Sequence, residues 1–224
     1  MGGDNRQHRY YPICLDVYGK RCVVVGGGTV ALRRVKALLE HGADVEVVSP
    51  YLCPELGELA RANIIRAYPK DYEPQDIEDA FLVIAATDEE DTNKEIADEA
   101  RRHKTLVNVV DRQGSSDFIV PSYFRRGALT IAISTNGASP ALSRKLRTSL
   151  EQSFGEEYTH LTDLIEEVRS ELKKRAININ GDDWQKALDL DLLIELLQSG
   201  QRDKAKAILM HNLGAVIGIS SQGD

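Results

Sequence analysis

The sequence predicts an α/β chain: a doubly wound parallel sheet, then a small hairpin unit, then helices alone. Three observations lead there. Short apolar runs alternate with amphipathic stretches from Cys22 to Val110. Between Phe118 and Ser134 two strand-like runs stand so close that only an antiparallel hairpin can join them. Beyond Gly155 apolar residues recur at helical spacing, and no strand pattern returns.

The first strand, Cys22 to Val25, runs into Gly26-Gly27-Gly28 and then an amphipathic helix. Gly26, Gly28 and Ala31 form G-x-G-x-x-A, and a strand, a glycine turn and a helix start in that order make a Rossmann-type dinucleotide site. Gly26 allows the tight turn, Gly28 lacks the Cβ that would hold a pyrophosphate away, and Ala31 lets the helix sit close. The helix start, with Thr29 and Val30, offers free N–H groups and a positive dipole end to phosphates.

His41-Gly42 ends that helix, and Val45 to Ser49 is the second strand. An acidic residue for the ribose hydroxyls usually stands at its end; here Ser49 and Pro50 do, and Glu46 inside the strand is a poor substitute. Ser49 can accept a ribose hydrogen bond, which leaves the choice between NAD and NADP open. Glu55 to Ala62 reads as a helix, Ile64 to Ala67 as a strand and Phe81 to Ala86 as a central buried strand ending at Thr87-Asp88. Asp88 reads either as a helix cap or as a neighbour of the adenine, and Thr87 is placed with the cofactor. Asn93 to His103 is a helix, and Leu106 to Val110 the next strand. Asp111 follows at its carboxyl end, where a carboxylate either caps a turn or points into the crevice above the cofactor.

The parallel pattern then stops. Phe118 to Val120 and Leu129 to Ser134 form the expected hairpin about Arg125-Arg126-Gly127, and its open edge suggests a dimer interface. In the helix Ala141 to Phe154, Ser139 fits the N-cap and Pro140 the first position. Either that is all, or the helix start with Ser139, Arg144, Lys145 and Arg147 also forms a carboxylate site. Two leucine-rich stripes follow, with Trp184 read as core. The expected division is residues 1–112 for the NAD-binding domain, 113–150 for dimerisation and the substrate cleft, and 151–224 for a helical domain.

Composition narrows the class. The 224 residues are 42% hydrophobic and 28% charged, ordinary for a globular protein, and the net charge of −7 argues against a general nucleic-acid binder. No apolar run reaches membrane length, and Met1 to Arg9 has no signal core, so neither a membrane nor secretion is expected. Three cysteines without C-x-x-C spacing suit a reduced, cytoplasmic setting, and five scattered histidines give no dedicated metal cage.

Five motifs in order carry a family resemblance: V-V-G-G-G-T-V-A-L-R-R (Val24 to Arg34), V-I-A-A-T-D (Val83 to Asp88), V-N-V-V-D (Val107 to Asp111), F-I-V-P-S (Phe118 to Ser122) and N-G-A-S-P-A-L-S-R-K-L-R (Asn136 to Arg147). Together they resemble the precorrin-2 dehydrogenase family, which includes the N-terminal module of siroheme synthase and stand-alone enzymes, some of them also ferrochelatases. The resemblance implies NAD-dependent oxidation of precorrin-2 to sirohydrochlorin in siroheme biosynthesis by a homodimer. Iron insertion, a lyase reaction, accompanies it in some members. Asp111 matches the family's essential aspartate, a general base for the departing ring proton. Ser139 matches the serine of the G-x-S-P turn, which is phosphorylated in some members. Asn108, Ser139 and Arg144 are the residues expected to meet the tetrapyrrole and its carboxylates. Leu32, Arg33 and Arg34 depart mildly from the family pattern after Ala31. No methyltransferase segment follows, so the chain is not expected to be the full trifunctional synthase. Two competing readings are an NAD-sensing regulatory domain without catalysis and a tetrapyrrole carrier or chelatase without redox chemistry.

Overall fold

Val23, Val24 and Val25 are branched at Cβ and buried on both faces, which suits the centre of a parallel sheet. The computed structural model describes residues 10–110 and 112–217. In it, β1 (Arg21–Val25) lies between β2 (Asp44–Val48) and β4 (Leu82–Ala85), and β3 (Arg66–Tyr68) and β5 (Leu106–Val109) complete the order β3-β2-β1-β4-β5. All four pairings are parallel. The chain winds outward from β1 to β3, then returns to place β4 on the other side. The crevice between the carboxyl ends of β1 and β4 is therefore the switch point where such sheets bind ligands.

Helices cover both faces of the sheet. The helix α1 (Thr29–Glu40) lays Ala31, Leu32 and Val35 against Val24, Val45, Val47 and Ile84, joined by Leu56 of α2 (Pro54–Arg61). On the other face, Ile96, Ala97 and Ala100 of α3 (Glu90–Arg102) meet Val23, Val83, Val107 and Val109. Cys22 belongs to the first of these cores; burial first, then the charge of Asp44, pushes its thiol up to about 11, so it serves as a small hydrophobe.

Two expectations shift. The strand expected at Ile64 to Ala67 is Arg66–Tyr68: Asn63 takes a positive φ of 55° past the end of α2, and Ile64 stays 53% exposed while Ile65 is buried. The first hairpin strand is not Phe118 to Val120 but β6 (Ser122–Arg126), paired with β7 (Leu129–Ile133). Phe118 is held elsewhere: Asn108 Nδ2 donates to its carbonyl at 2.9 Å, and Asp117 N donates to Val107 O at 2.8 Å. Hydrogen bonds to β5 therefore take up the segment that sequence pattern assigns to the hairpin.

The chain divides into two compact units, at Val120 and Pro121. In the second, Gly127 turns the hairpin at φ 56°, and a Cβ there would lie 2.8 Å from Thr162 Oγ1. Arg126 Nε donates at 2.9 Å to Phe154 O, at the end of α4 (Pro140–Ser153). A separate core joins Leu164 and Val168 of α5 (Glu157–Lys174), Ala187 of α6 (Gly181–Ala187), Leu193 of α7 (Leu190–Gln198) and Leu209 and Leu213 of α8 (Arg202–Val216). Trp184 packs at its margin, beneath the Arg169 guanidinium at 5.8 Å.

Candidate active site

In the first unit, the bend after β1 opens onto a cleft of about 710 Å³, within the size range of small-molecule sites. Gly26 takes φ 122°, and a Cβ there would strike Ala86 O at 2.3 Å, so only glycine lets β4 approach. Gly27 is as constrained from the other side: a Cβ would lie 1.7 Å from Tyr51 O, and Gly27 O accepts from Cys53 N at 2.8 Å. Gly28 differs, because a Cβ there meets nothing within 4 Å. It is the N-cap of α1, whose first turn has no side-chain cap and no acidic residue. Uncapped amides at a helix start, with open space before them and no Cβ in the way, are what a pyrophosphate needs.

Gly26, Gly28, Thr29, Val30, Ser49, Pro50 and Thr87 all line this one cleft, and so does Val110, the residue before Asp111. Asp111 itself lies outside the described residues. Thr87 is locked in place: its hydroxyl donates to Asn93 Oδ1 at 2.9 Å, and Asn93 Nδ2 donates back to Thr87 O at 2.9 Å. Asp88 stays exposed and does not cap α3, whose N-cap is Glu89. Ser49 is 7% exposed, and its hydroxyl donates to Tyr51 O at 2.7 Å. Glu46 points away from the cofactor side: Arg21 and Arg66 hold its carboxylate at 2.8 Å each. Burial acts to raise its pKa, but the hydrogen bonds and charges of the two arginines outweigh that and keep it below the ordinary value.

The cleft also contains residues that sequence reading passes over. Asp71 and Tyr72, on the loop after β3, line it with Thr92 and Glu95 of α3. No periodic signal marks that loop, and only the sheet order brings it beside β2. Burial first, then Glu99 and Glu95, push the Tyr72 phenol up, so it stays protonated. Asn108 does not line the cleft; it is 5% exposed, its Nδ2 holds Phe118 O, and its Oδ1 has no hydrogen-bond partner among the described residues.

Ser139 and Arg144 sit in the second unit. Ser139 caps α4, its Oγ accepting from Leu142 N at 3.2 Å, while Thr135 Oγ1 accepts from Ser139 N at 3.0 Å. Arg147 is committed to Glu151. Arg144 and Lys145 are exposed and form no ion pair among the described residues. No group of three acidic, histidine or cysteine side chains able to hold a metal occurs among the described residues.

A parallel sheet with a glycine bend at its switch point, above an open helix start, defines a dinucleotide-binding fold. Comparison with known proteins narrows this. A family model described as NAD(P)-binding matches residues 13–122, and one described as sirohaem biosynthesis protein central matches residues 126–153. Siroheme synthase of Thioalkalivibrio sulfidiphilus is 38% identical over 202 residues, covering 89% of this chain and 41% of the relative. That of Nitrosococcus oceani is 37% identical over 203 residues, covering 90% and 43%. The chain thus spans about two-fifths of the length of the curated relatives it matches. The solved structure of SirC, a precorrin-2 dehydrogenase, matches at a TM-score of 0.68 and 28% identity, over 92% of this chain and 100% of that one. Over about nine-tenths of its length the chain is similar both to the siroheme synthases and to SirC.

Proposed function

We propose that this protein oxidises precorrin-2 to sirohydrochlorin with NAD, in siroheme biosynthesis. One observation carries the reading: the likeness to a solved precorrin-2 dehydrogenase runs over the whole of that chain, so it takes in both the dinucleotide unit and the helical one. An NAD-sensing domain without chemistry needs only the first of these.

NAD, when bound, takes up two electrons and one hydrogen from the macrocycle. The uncapped α1 amides at Gly28 hold its pyrophosphate, with Thr29 and Val30 beside them and Ser49, Pro50 and Thr87 along the rest of the cleft. The oxidation also releases a proton from a ring carbon, and Asp111 takes it as general base. Support for that role comes from the chain neighbour Val110, which lines the cleft at the carboxyl end of β5. Asn108 serves this stretch by tethering Phe118 to β5 through its amide. The acetate and propionate groups of the tetrapyrrole are met by Arg144 and Lys145 near the capped start of α4, with Ser139 at its tip.

Metal insertion releases two protons, and the Asp111 carboxylate suits that step as well. The protein works as a homodimer through the 113–150 region; supporting this, β6 and β7 form a two-stranded sheet, and Leu142 and Leu146 of α4 are 49% and 42% exposed. Its place is the cytoplasm, in keeping with the free thiols Cys14, Cys22 and Cys53. No helix among the described residues is long and apolar enough to cross a membrane. The test is an anaerobic assay with precorrin-2 and NAD that follows sirohydrochlorin absorbance, then adds ferrous or cobalt ions. Cofactor binding without tetrapyrrole turnover would sink the dehydrogenase reading.

A further inference from the structure

The second unit has a hollow of its own. It measures about 680 Å³ and is lined from the turn between β6 and β7, from α5, from the segment after it and from α6. No residue placed with the dinucleotide or the tetrapyrrole takes part in its lining.

Its apolar floor follows from the way α5 ends. Ala176 takes a positive φ of 56° past the last turn, and Ile177 N donates to Leu172 O at 2.9 Å. The chain then stays irregular until Asn180 caps α6, its Oδ1 accepting from Asp183 N at 2.9 Å. Ile177 and Ile179 of this segment line the hollow with Ile165 and Leu172 of α5 and the half-buried ring of Trp184.

Charge on α5 is divided by face. Glu167 and Glu171 pair with α8: Arg202 holds Glu167 at 2.6 Å, and Lys206 holds the two at 2.8 and 3.0 Å. Arg169 and Lys173 stand instead in the stripe that lines the hollow, one turn apart. Neither forms an ion pair or a side-chain hydrogen bond among the described residues. The one acid in the described lining, Glu166, pairs with neither. Like charges at that spacing repel, and the helix dipole favours Lys173 in the last turn but not Arg169 farther in. Helix stability therefore does not account for the pair.

Arg169 is also held in place without being used up. Its guanidinium lies over the Trp184 ring, 5.8 Å from the centroid, a contact that spends none of its N–H donors. A guanidinium so placed is a fork for a carboxylate, and Lys173 adds a second positive charge beside it.

We propose that this hollow binds a small apolar carboxylic acid, with its carboxylate on Arg169 and Lys173 and its body on Trp184 and the isoleucines. Charge complementarity sets the occupant: an apolar floor alone accepts any apolar molecule, whereas two unneutralised cations at its rim select an anion. Both cations are exposed, so screening limits the preference to about tenfold. The proposal does not draw on the dinucleotide reading, whose cleft belongs to the other unit.

Trp184 is the single tryptophan of the chain, so its emission reports on this hollow. Phenylbutyrate, its neutral amide and the corresponding amine are titrated into the full chain, followed by calorimetry and by tryptophan emission. The acid is expected to bind saturably with a change in emission, at least about tenfold tighter than the amide, and the amine weakest. In the double variant Arg169→Gln with Lys173→Gln, circular dichroism and NADH binding should be unchanged, and the acid should fall to within about threefold of the amide. Raising salt from about 50 to about 500 mM should shrink the wild-type preference and leave that of the double variant unmoved. Saturable binding of none of the three, equal binding of acid and amide by the wild type, or unchanged acid affinity in the double variant overturns the proposal. So does binding heat without a change in emission, which would put the acid elsewhere. A fall in assembled mass in the double variant would give the hollow to a second copy of the chain and overturn it too.

Discussion

A Cβ at Gly27 would lie 1.7 Å from the Tyr51 carbonyl oxygen, whereas one at Gly28 would meet nothing within 4 Å. The two neighbouring glycines therefore fail in different ways when replaced. Gly27→Ala must push away the backbone that follows β2, and a loss of about 2 kcal/mol in urea unfolding is expected. Gly28→Ala keeps its stability to within about 1 kcal/mol, since Ala is only a poorer N-cap, but sets a methyl group before the α1 amides. NADH titration should show at least tenfold weaker binding for it, about 1.4 kcal/mol; unchanged affinity would move the pyrophosphate elsewhere. The sequence alone distinguishes Gly28 as the cofactor glycine, yet it cannot show why Gly27 is glycine, because that reason is a contact with a residue on another loop. For Asp111, Ala substitution should abolish precorrin-2 oxidation with NADH affinity intact, measured by steady-state kinetics and titration together. Retained turnover would remove it from the mechanism.

Strand β2 shows a different kind of economy at the scale of an element. Glu46 sits on it, 5% exposed, and joins β1 to β3 through Arg21 and Arg66, while Arg21 also donates to the carbonyls of Glu78 and Asp76 at 2.5 and 2.8 Å. One buried carboxylate so ties three strands and the turn before β4. Its pKa is held below the ordinary value near 4.5, so its stabilisation is whole above that pH and is lost as pH falls through the folded value. Glu46→Gln should cost about 2 kcal/mol at neutral pH, with the deficit closing below pH 4.5. A deficit that stays constant across an acid titration of unfolding would show the charge to be idle. Elements of this sheet are legible to unequal degree. The apolar runs of β1, β4 and β5 announce buried parallel strands, and Ser139-Pro140 marks the start of α4 at the residue observed. The short β3 and the strand β6 are displaced from where the pattern sets them, because a positive φ at Asn63 and tethers from Asn108 and Asp117 decide those boundaries.

At the scale of the whole molecule, the two units have separate cores and differ in how completely they bury their apolar residues. In the first, helices cover both sheet faces. In the second, the hairpin is two strands only, a size that rarely stands alone in water, and its support comes from α4 and α5. Yet α4 buries only Ser143 and leaves Leu142 and Leu146, one turn apart, substantially exposed. A helix with leucines at that spacing and no cover among the described residues of its own unit is suited to meeting a second copy, as the open strand edges are. The order of motifs in the sequence carries the family resemblance and the change from sheet to hairpin to helices, but exposure of this stripe is invisible there, since Leu142, Leu146 and Leu150 read as an ordinary buried face. If the stripe lies in a dimer interface, Leu142→Glu with Leu146→Glu should give a folded chain of half the assembled mass in light scattering, its circular dichroism unchanged. Burying two such leucines contributes about 3 to 6 kcal/mol, and charges in their place reverse it, so dissociation at micromolar concentration is expected. The first unit should still bind NADH, because its cleft is built without these residues. A wild-type protein that is monomeric, or a double variant that remains dimeric, would return the leucine stripe to the surface and leave the hairpin edges to be explained by something other than a twofold partner.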